Sequence, residues 1–269
     1  MHRSNPSNTY VSSKIIILII IDCKPPVPHP VCFQLHSSMN LEENINDNSS
    51  IAKLRKEYST AGIDENTLDP SNPLVVFQQW FDDACAAKVH EPNAMCLATA
   101  NAATGAPSAR IVLLKGFDER GFVWYTNYES RKGCELKENP NAALVFWWGE
   151  LERSVRVEGL AEKVSSEESD SYFDLRPPKA RLGAIESDQS RVISSREDLE
   201  NKFKRLEEVY LNDKGEEKKK IERPQDWGGY RLTPTVIEFW KGRTSRIHDR
   251  IRYTLDQGTG IWTRERLQT

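Results

Sequence analysis

At 269 residues, with 38% hydrophobic and 29% charged side chains, the chain has the make-up of a soluble globular protein with a sizeable core. Its 37 basic and 40 acidic residues leave a formal net charge of −3, which excludes a global field for nucleic acid or an anionic membrane; an anion must be held by a local cluster. The cysteines (Cys23, Cys32, Cys85, Cys96, Cys134) are scattered and form no C-x-x-C pair, which argues against a disulfide framework or zinc knuckle and for a reducing compartment; with His248 the one histidine in a motif-dense stretch, no metal site is expected.

Residues 1–49 read as a disordered N-terminal extension. KIIILIIID (14–22) is far shorter than the ~20 apolar residues of a membrane span, and CKPPVPHP follows where a signal peptide would carry small residues. Met39 offers an alternative start, and the polar, acidic NLEENINDNSS after it lacks the apolar content to fold. The cytoplasm is the expected location, with targeting by the extension left open. Residues 50–269 are expected to form a single domain.

IAKLRKEYSTAG (51–62) predicts a short helix, and the Pro-led stretch 73–88 an amphipathic one. AMCLATA, SARIVLLKGF and GFVWYTNY predict three consecutive antiparallel strands joined by hairpins at NAATGAP and DERG. SRKGCELKENP predicts a helix capped by Ser130. AALVFWW and the alternating SVRVEGLAEKV resume strand character. SSEESDSYFDLRP and REDLENKFKRLEEVYL predict two further helices, and NDKGEEKKKIERP a solvated loop. WGGYRLTPTVIEFWKG and RIRYTLDQGTGIWTRERL supply the last strands. Hairpins without βαβ alternation, G-x-G-x-x-G or P-loop point to a mainly β, α+β architecture: an antiparallel closed or split barrel with flanking helices.

Four clusters carry candidate chemistry. In SARIVLLK, period-two alternation sends Arg110 and Lys115 to opposite faces of a strand. In YTNYESRKG, Arg131 and Lys132 occupy a helix start, where free N–H groups and the positive dipole end already favour an anion and two cations repel unless a phosphate or solvent offsets them. In SYFDLRPP, Tyr172 and Arg176 at i, i+4 form either a fork for a second anion or an ordinary surface pair. In WKGRTSRIHDR, an extended backbone would set Arg246, His248 and Arg250 on one face beside Trp240, with either a ligand or nearby acids such as Asp249 balancing the charge. Gln189 and Ser190 lie in a polar loop.

These segments, with VRVEG and WGGYRL, stand in the order found in the pyridoxine/pyridoxamine 5′-phosphate oxidase family, and from about residue 50 onward the chain resembles that family. The resemblance implies a split-barrel homodimer with FMN at the subunit interface. It places the FMN contacts on Arg110, Ile111, Val112, Leu113, Tyr125, Thr126, Arg131, Lys132, Gln189, Ser190, Trp240 and Arg250. The substrate phosphate falls to Lys115, Tyr172 and Arg176, the pyridine end to Arg246 and His248, and a closing segment to Arg55 and Tyr58. The implied reaction moves a hydride from C4′ of pyridoxamine or pyridoxine 5′-phosphate to the flavin, giving pyridoxal 5′-phosphate, with dioxygen reduced to hydrogen peroxide and ammonia released from the amine. Two positions depart from the family pattern: Ser154 stands where Gln is usual and Ala180 where Ser is usual, each the loss of one neutral donor. They motivate an alternative, a B6-phosphate carrier of the same fold with weak turnover. A flavin reductase is disfavoured by the substrate-side residues, and nucleic-acid binding through KKK (218–220) by the lack of an aromatic platform.

Overall fold

Alternation along the strands decides which side of the sheet becomes the interior. In β1 (Ala94–Ala100) Met95, Leu97 and Thr99 are buried; in β5 (Asn141–Trp148) Ala142, Leu144, Phe146 and Trp148; in β6 (Arg153–Lys163) Val155, Val157 and Ala161. The computed structural model describes residues 53, 54, 56–58 and 60–269. The expected extension, 1–49, and Arg55 lie outside the described residues. The stretch from Arg55 to Thr269 forms one compact unit.

Among the described residues, nine strands make one antiparallel sheet. Besides β1, β5 and β6 these are β2 (Pro107–Leu113), β3 (Gly116–Asp118), β4 (Gly121–Asn127), β7 (Trp227–Lys241), β8 (Asp249–Asp256) and β9 (Ile261–Arg266). Hydrogen bonding runs β2-β1-β5-β6-β7-β4-β3, with β8 also on β7 and β9 on β8. The sheet curls until β2 approaches β4, giving the expected split barrel.

Two expectations need correction. SARIVLLKGF is not one strand: it breaks at Leu114–Lys115 into β2 and β3, and β2 pairs with β1 while β3 pairs with β4. The 15-residue β7 bridges β6 and β4, so the two hairpins sit at opposite ends of the path. The helix expected over 51–62 is also absent from described residues 56–58 and 60–62; there the chain is held by side-chain hooks instead. Thr60 Oγ1 donates to the Gly242 carbonyl at 2.8 Å, and the Ile63 N–H to Asp249 Oδ2 at 2.7 Å.

Helix α1 (Pro73–Ala86) starts at Asn72, whose side chain accepts the Leu74 N–H, and Pro73 supplies a φ already suited to the first turn. It buries Val76, Phe77, Trp80 and Ala84. The Phe77 ring meets Phe122, Phe117 and Phe146 at centroid distances of 4.8, 4.9 and 5.1 Å, and its burial stabilises the fold by about 2 kcal/mol. Helix α2 (Arg131–Glu138) follows β4. The last three, α3 (Ser166–Leu175), α4 (Pro178–Glu186) and α5 (Arg196–Tyr210), cover a second cluster of Phe173, Leu182, Ala184, Leu211, Ile221 and Trp227. The sequence pattern assigns no helix to 178–186, yet α4 forms there, with Pro177 and Pro178 marking its start. No helix among the described residues is long and apolar enough to cross a membrane.

Candidate active site

The start of α2 gathers the first cationic cluster. Ser130 caps it by accepting the Gly133 N–H, and Gly133 is needed there because a Cβ would fall 2.1 Å from the Tyr128 carbonyl oxygen. The close approach turns Lys132 inward. Its ammonium, on a residue only 8% exposed, donates to Gln189 Oε1 at 2.5 Å, Thr126 Oγ1 at 3.0 Å and Ser130 Oγ at 3.3 Å. Burial, then the nearby Arg110 charge, lowers its pKa to about 8. Arg110 donates to Thr99 Oγ1 and Ser108 Oγ, each at 2.6 Å, and burial lowers its pKa as well. Thus Arg110, Thr126, Lys132 and Gln189 do come together. Ser190 follows with a left-handed φ of 72° in the exposed loop.

Arg131 behaves differently from its neighbour. It is exposed and offset by Glu135 at i+4, 2.9 Å away, so the predicted repulsion in the first turn is relieved within the helix. Glu135 is a residue that the pattern reading missed. Its buried carboxylate also accepts from Thr99 at 2.5 Å and Ser108 at 2.6 Å. Burial alone would raise its pKa, but these hydroxyls and Arg131 outweigh that and hold it at about 2. Four-residue spacing from Arg131 was the available signal.

A second cationic site lies at the end of α3. Tyr172 stacks on Tyr125 at 3.8 Å and 15°, and the Arg176 guanidinium lies 4.6 Å over the Trp227 ring. Trp227 was not predicted for this role. Burial lowers the Arg176 pKa, and its Nη1 is buried without a hydrogen-bond partner among the described residues. Partial burial lowers the Lys115 pKa too, and the next cause is the charge of Arg176 itself. Lys115 and Arg176 are thus like charges near enough to repel, and the buried Nη1 donor of Arg176 is unpaired among the described residues. An anion bound there would pair that donor and offset both charges.

The third cluster sits on the outer face of the sheet. Ser154 on β6 pairs with Trp147 on one side and Trp240 on the other, and Trp240 pairs with Arg250. Because Ser154 is small, the two indoles approach to 5.8 Å above it. They line a cavity of about 470 Å³ with Val145, Arg156, Glu238 and Arg250. The extended conformation expected for 244–248 is wrong. Thr244–Arg246 form a 3₁₀ turn with left-handed φ of 59° at Ser245 and 60° at Arg246, so Arg246, His248 and Arg250 do not share a strand face. Acids do balance part of the charge: Glu238 takes Arg250, and Asp249 takes Arg266. Arg246 has no ion pair or hydrogen bond among the described residues. His248 Nδ1 accepts the Arg243 N–H at 3.2 Å, leaving the proton of a neutral ring on Nε2. Tyr58 packs edge-on against His248 at 5.3 Å and Trp240 at 5.7 Å.

Among the described residues, no hydrogen bond, ion pair or ring contact joins this third cluster to the other two. Ile111, Val112 and Leu113 lie on β2, the open edge of the sheet, where backbone N–H and C=O groups face away from β1 without a strand partner. Ile111 is 67% exposed and Trp147 55%, on a face that no described element covers.

A family model described as pyridoxamine 5′-phosphate oxidase matches residues 81–210, and one described as the pyridoxine 5′-phosphate oxidase C-terminal dimerisation region matches 227–269. A pyridoxine/pyridoxamine 5′-phosphate oxidase of Nostoc punctiforme is 57% identical over 219 residues, covering 81% of this chain and 98% of the relative. The chain belongs to the pyridoxamine 5′-phosphate oxidase family. A relative of the same name from Gloeothece citriformis is 54% identical over 218 residues, with 81% and 98% coverage. Among solved structures, PhzG from Burkholderia lata, in complex with tetrahydrophenazine-1-carboxylic acid, superposes with a TM-score of 0.70 at 30% identity, covering 78% of this chain and 98% of that one. A pyridoxamine 5′-phosphate oxidase-related, FMN-binding protein of Nostoc punctiforme shares the fold at a TM-score of 0.58 and 16% identity, with 76% and 100% coverage. The oxidase family's cofactor, FMN, fits the residues present: the Lys132 ammonium near Arg110, in the first turn of a helix, suits a phosphate, and the open edge of β2 suits a planar ring with donors and acceptors on its rim. No group of His, Cys, Asp and Glu side chains among the described residues could hold a metal ion.

Proposed function

We propose that this chain oxidises pyridoxamine 5′-phosphate and pyridoxine 5′-phosphate at C4′ to pyridoxal 5′-phosphate, with dioxygen as acceptor and hydrogen peroxide as co-product. The amine substrate also consumes a water and releases ammonia. Residues 50–269 act as one domain in a homodimer, and FMN lies between the subunits. The separation of the Trp240–Arg250 cavity from the Lys132 cradle supports this arrangement, since one subunit can complete the site of the other.

The observation that carries the reading is the orphaned Nη1 of Arg176, buried beside Lys115 and Tyr172. A buried donor left unpaired costs about 1–3 kcal/mol, and more when charged, so the site is built for an anion brought by a ligand. Lys115, Tyr172 and Arg176 hold the substrate phosphate; Arg110, Thr126, Arg131, Lys132, Gln189 and Ser190 hold that of the cofactor. Ile111, Val112, Leu113 and Tyr125 flank the flavin ring, with Trp240 and Arg250 supplied across the interface. Bound FMN would take a hydride equivalent from C4′ and pass the electrons to dioxygen. Arg246, unpaired and fixed in a left-handed turn, presents its charge to the substrate ring. His248 presents the Nε2 proton as a hydrogen-bond donor, and Tyr58, packed against His248 and Trp240, borders the ring from the N-terminal side.

Purified protein should be yellow and, under air, should form pyridoxal 5′-phosphate and peroxide in equal amounts from pyridoxamine 5′-phosphate. Yellow protein that binds the substrate yet does not bleach anaerobically would establish the carrier alternative instead. Arg246→Ala should lower turnover about a hundredfold, the loss of a charged contact or two. Arg243→Ala, whose side chain reaches Asp249 only at 3.7 Å, should stay within about threefold of wild type. Equal losses in steady-state assays would remove Arg246 from the reacting centre.

A further inference from the structure

Glu238 is an acid buried in the wall of the Trp147–Trp240 cavity, 6% exposed, and nothing in the sequence pattern singled it out. One carboxylate oxygen accepts Arg250 Nε at 2.7 Å and the other accepts Arg156 Nη2 at 2.7 Å. Arg250 is gripped at a second point, where Nη1 donates to the Gln268 carbonyl at 3.1 Å. The backbone repeats the clasp, since the Leu267 N–H donates to the Arg250 carbonyl at 2.9 Å. Two of the three guanidinium nitrogens are thereby fixed. Nη2 is left without a hydrogen bond among the described residues, on a side chain lining the cavity.

A free arginine samples many rotamers, and holding one costs entropy that a pre-formed contact removes. Here the contact is charge-assisted and sheltered, which makes it strong enough to select one orientation. We infer that Glu238 is a positioning residue for the flavin site: it aims Arg250 Nη2 at the cofactor, while Arg156 neutralises its remaining charge. This rests on the proposed placement of Arg250 against FMN. Glutamine cannot substitute, because its single carbonyl oxygen satisfies one arginine and its NH₂ opposes the other.

The test is a double-mutant cycle on FMN affinity, read by quenching of flavin fluorescence in apoprotein of wild type, E238Q, R250A and the double variant. E238Q should weaken FMN binding about tenfold when Arg250 is present. In the R250A background the same change should cost less than about twofold, because there is no guanidinium left to aim. E238A, which releases both arginines, should follow the same pattern, and thermal melts of the four apoproteins identify any general loss of folding. An equal loss from E238Q in both backgrounds would overturn the proposal, since Glu238 would then act on the fold. If R250A itself leaves FMN affinity untouched, the placement of Arg250 at the cofactor fails, and the positioning role fails with it.

Discussion

Lys132→Met should weaken FMN binding about a hundredfold and leave riboflavin binding nearly unchanged. The ratio isolates the phosphate, because riboflavin shares the ring and ribityl chain. The magnitude corresponds to roughly 3 kcal/mol, two charge-assisted hydrogen bonds lost together. The free protein also fixes a pH dependence. Lys132 titrates at about 8 rather than 10.5, because burial and Arg110 disfavour its charge. Below about pH 8 the folded apoprotein carries the cost of that buried ammonium, about 3 kcal/mol, and the cost disappears as pH rises toward 10.5. A phosphate dianion reverses the preference, so above pH 8 binding must take up a proton. FMN phosphate is fully dianionic across this range. Its dissociation constant should therefore rise above pH 8, by at most tenfold per unit, and the Met variant should show no such rise. Fluorescence titrations from pH 7 to 10 read both effects; an unchanged slope in the variant would assign the proton to another group.

That cradle was visible in the sequence because its signals are local. Ser130 before Arg131 and Lys132, with Gly133 behind them, marks a helix start whatever the rest of the chain does. Likewise the Val155/Arg156/Val157/Glu158 alternation states which face of β6 is buried. Strand order is another matter. Only the short β3 separates β2 from β4 in sequence, yet the two do not pair; β4 pairs with β3 on one side and, on the other, with β7, about a hundred residues on, and no local pattern encodes a pairing at that distance. The turn at Ser245 and Arg246 was hidden for the opposite reason. Neither residue is glycine, so the left-handed backbone carried no compositional mark, and alternation was assumed where it does not hold. Glu135 and Glu238 were overlooked because a glutamate in a helix or alternating strand reads as a solvated one. Only the three-dimensional packing shows that each is buried between cations.

Arg176→Ala should lower kcat/KM for pyridoxamine 5′-phosphate about a hundredfold, mostly through KM, while activity on unphosphorylated pyridoxamine, low in both proteins, changes little. The estimate follows from two charge-assisted bonds to phosphate, about 3 kcal/mol. Arg176→Lys should recover only part of the loss, since an ammonium keeps the charge but neither the planar fork nor the stacking on Trp227. Stability should move the other way. In the free protein Arg176 is a partly buried cation whose Nη1 has no partner, and Lys115 beside it adds repulsion. Removing such a group relieves desolvation and like-charge terms, so the melting temperature of the ligand-free variant should hold or rise, despite the lost contact with Trp227. An ordinary structural arginine would behave in the reverse manner, with stability falling and KM for the phosphorylated substrate unchanged. Measuring kcat, KM and melting temperature on one preparation separates the two, because only a residue kept under strain for a ligand loses binding while gaining stability.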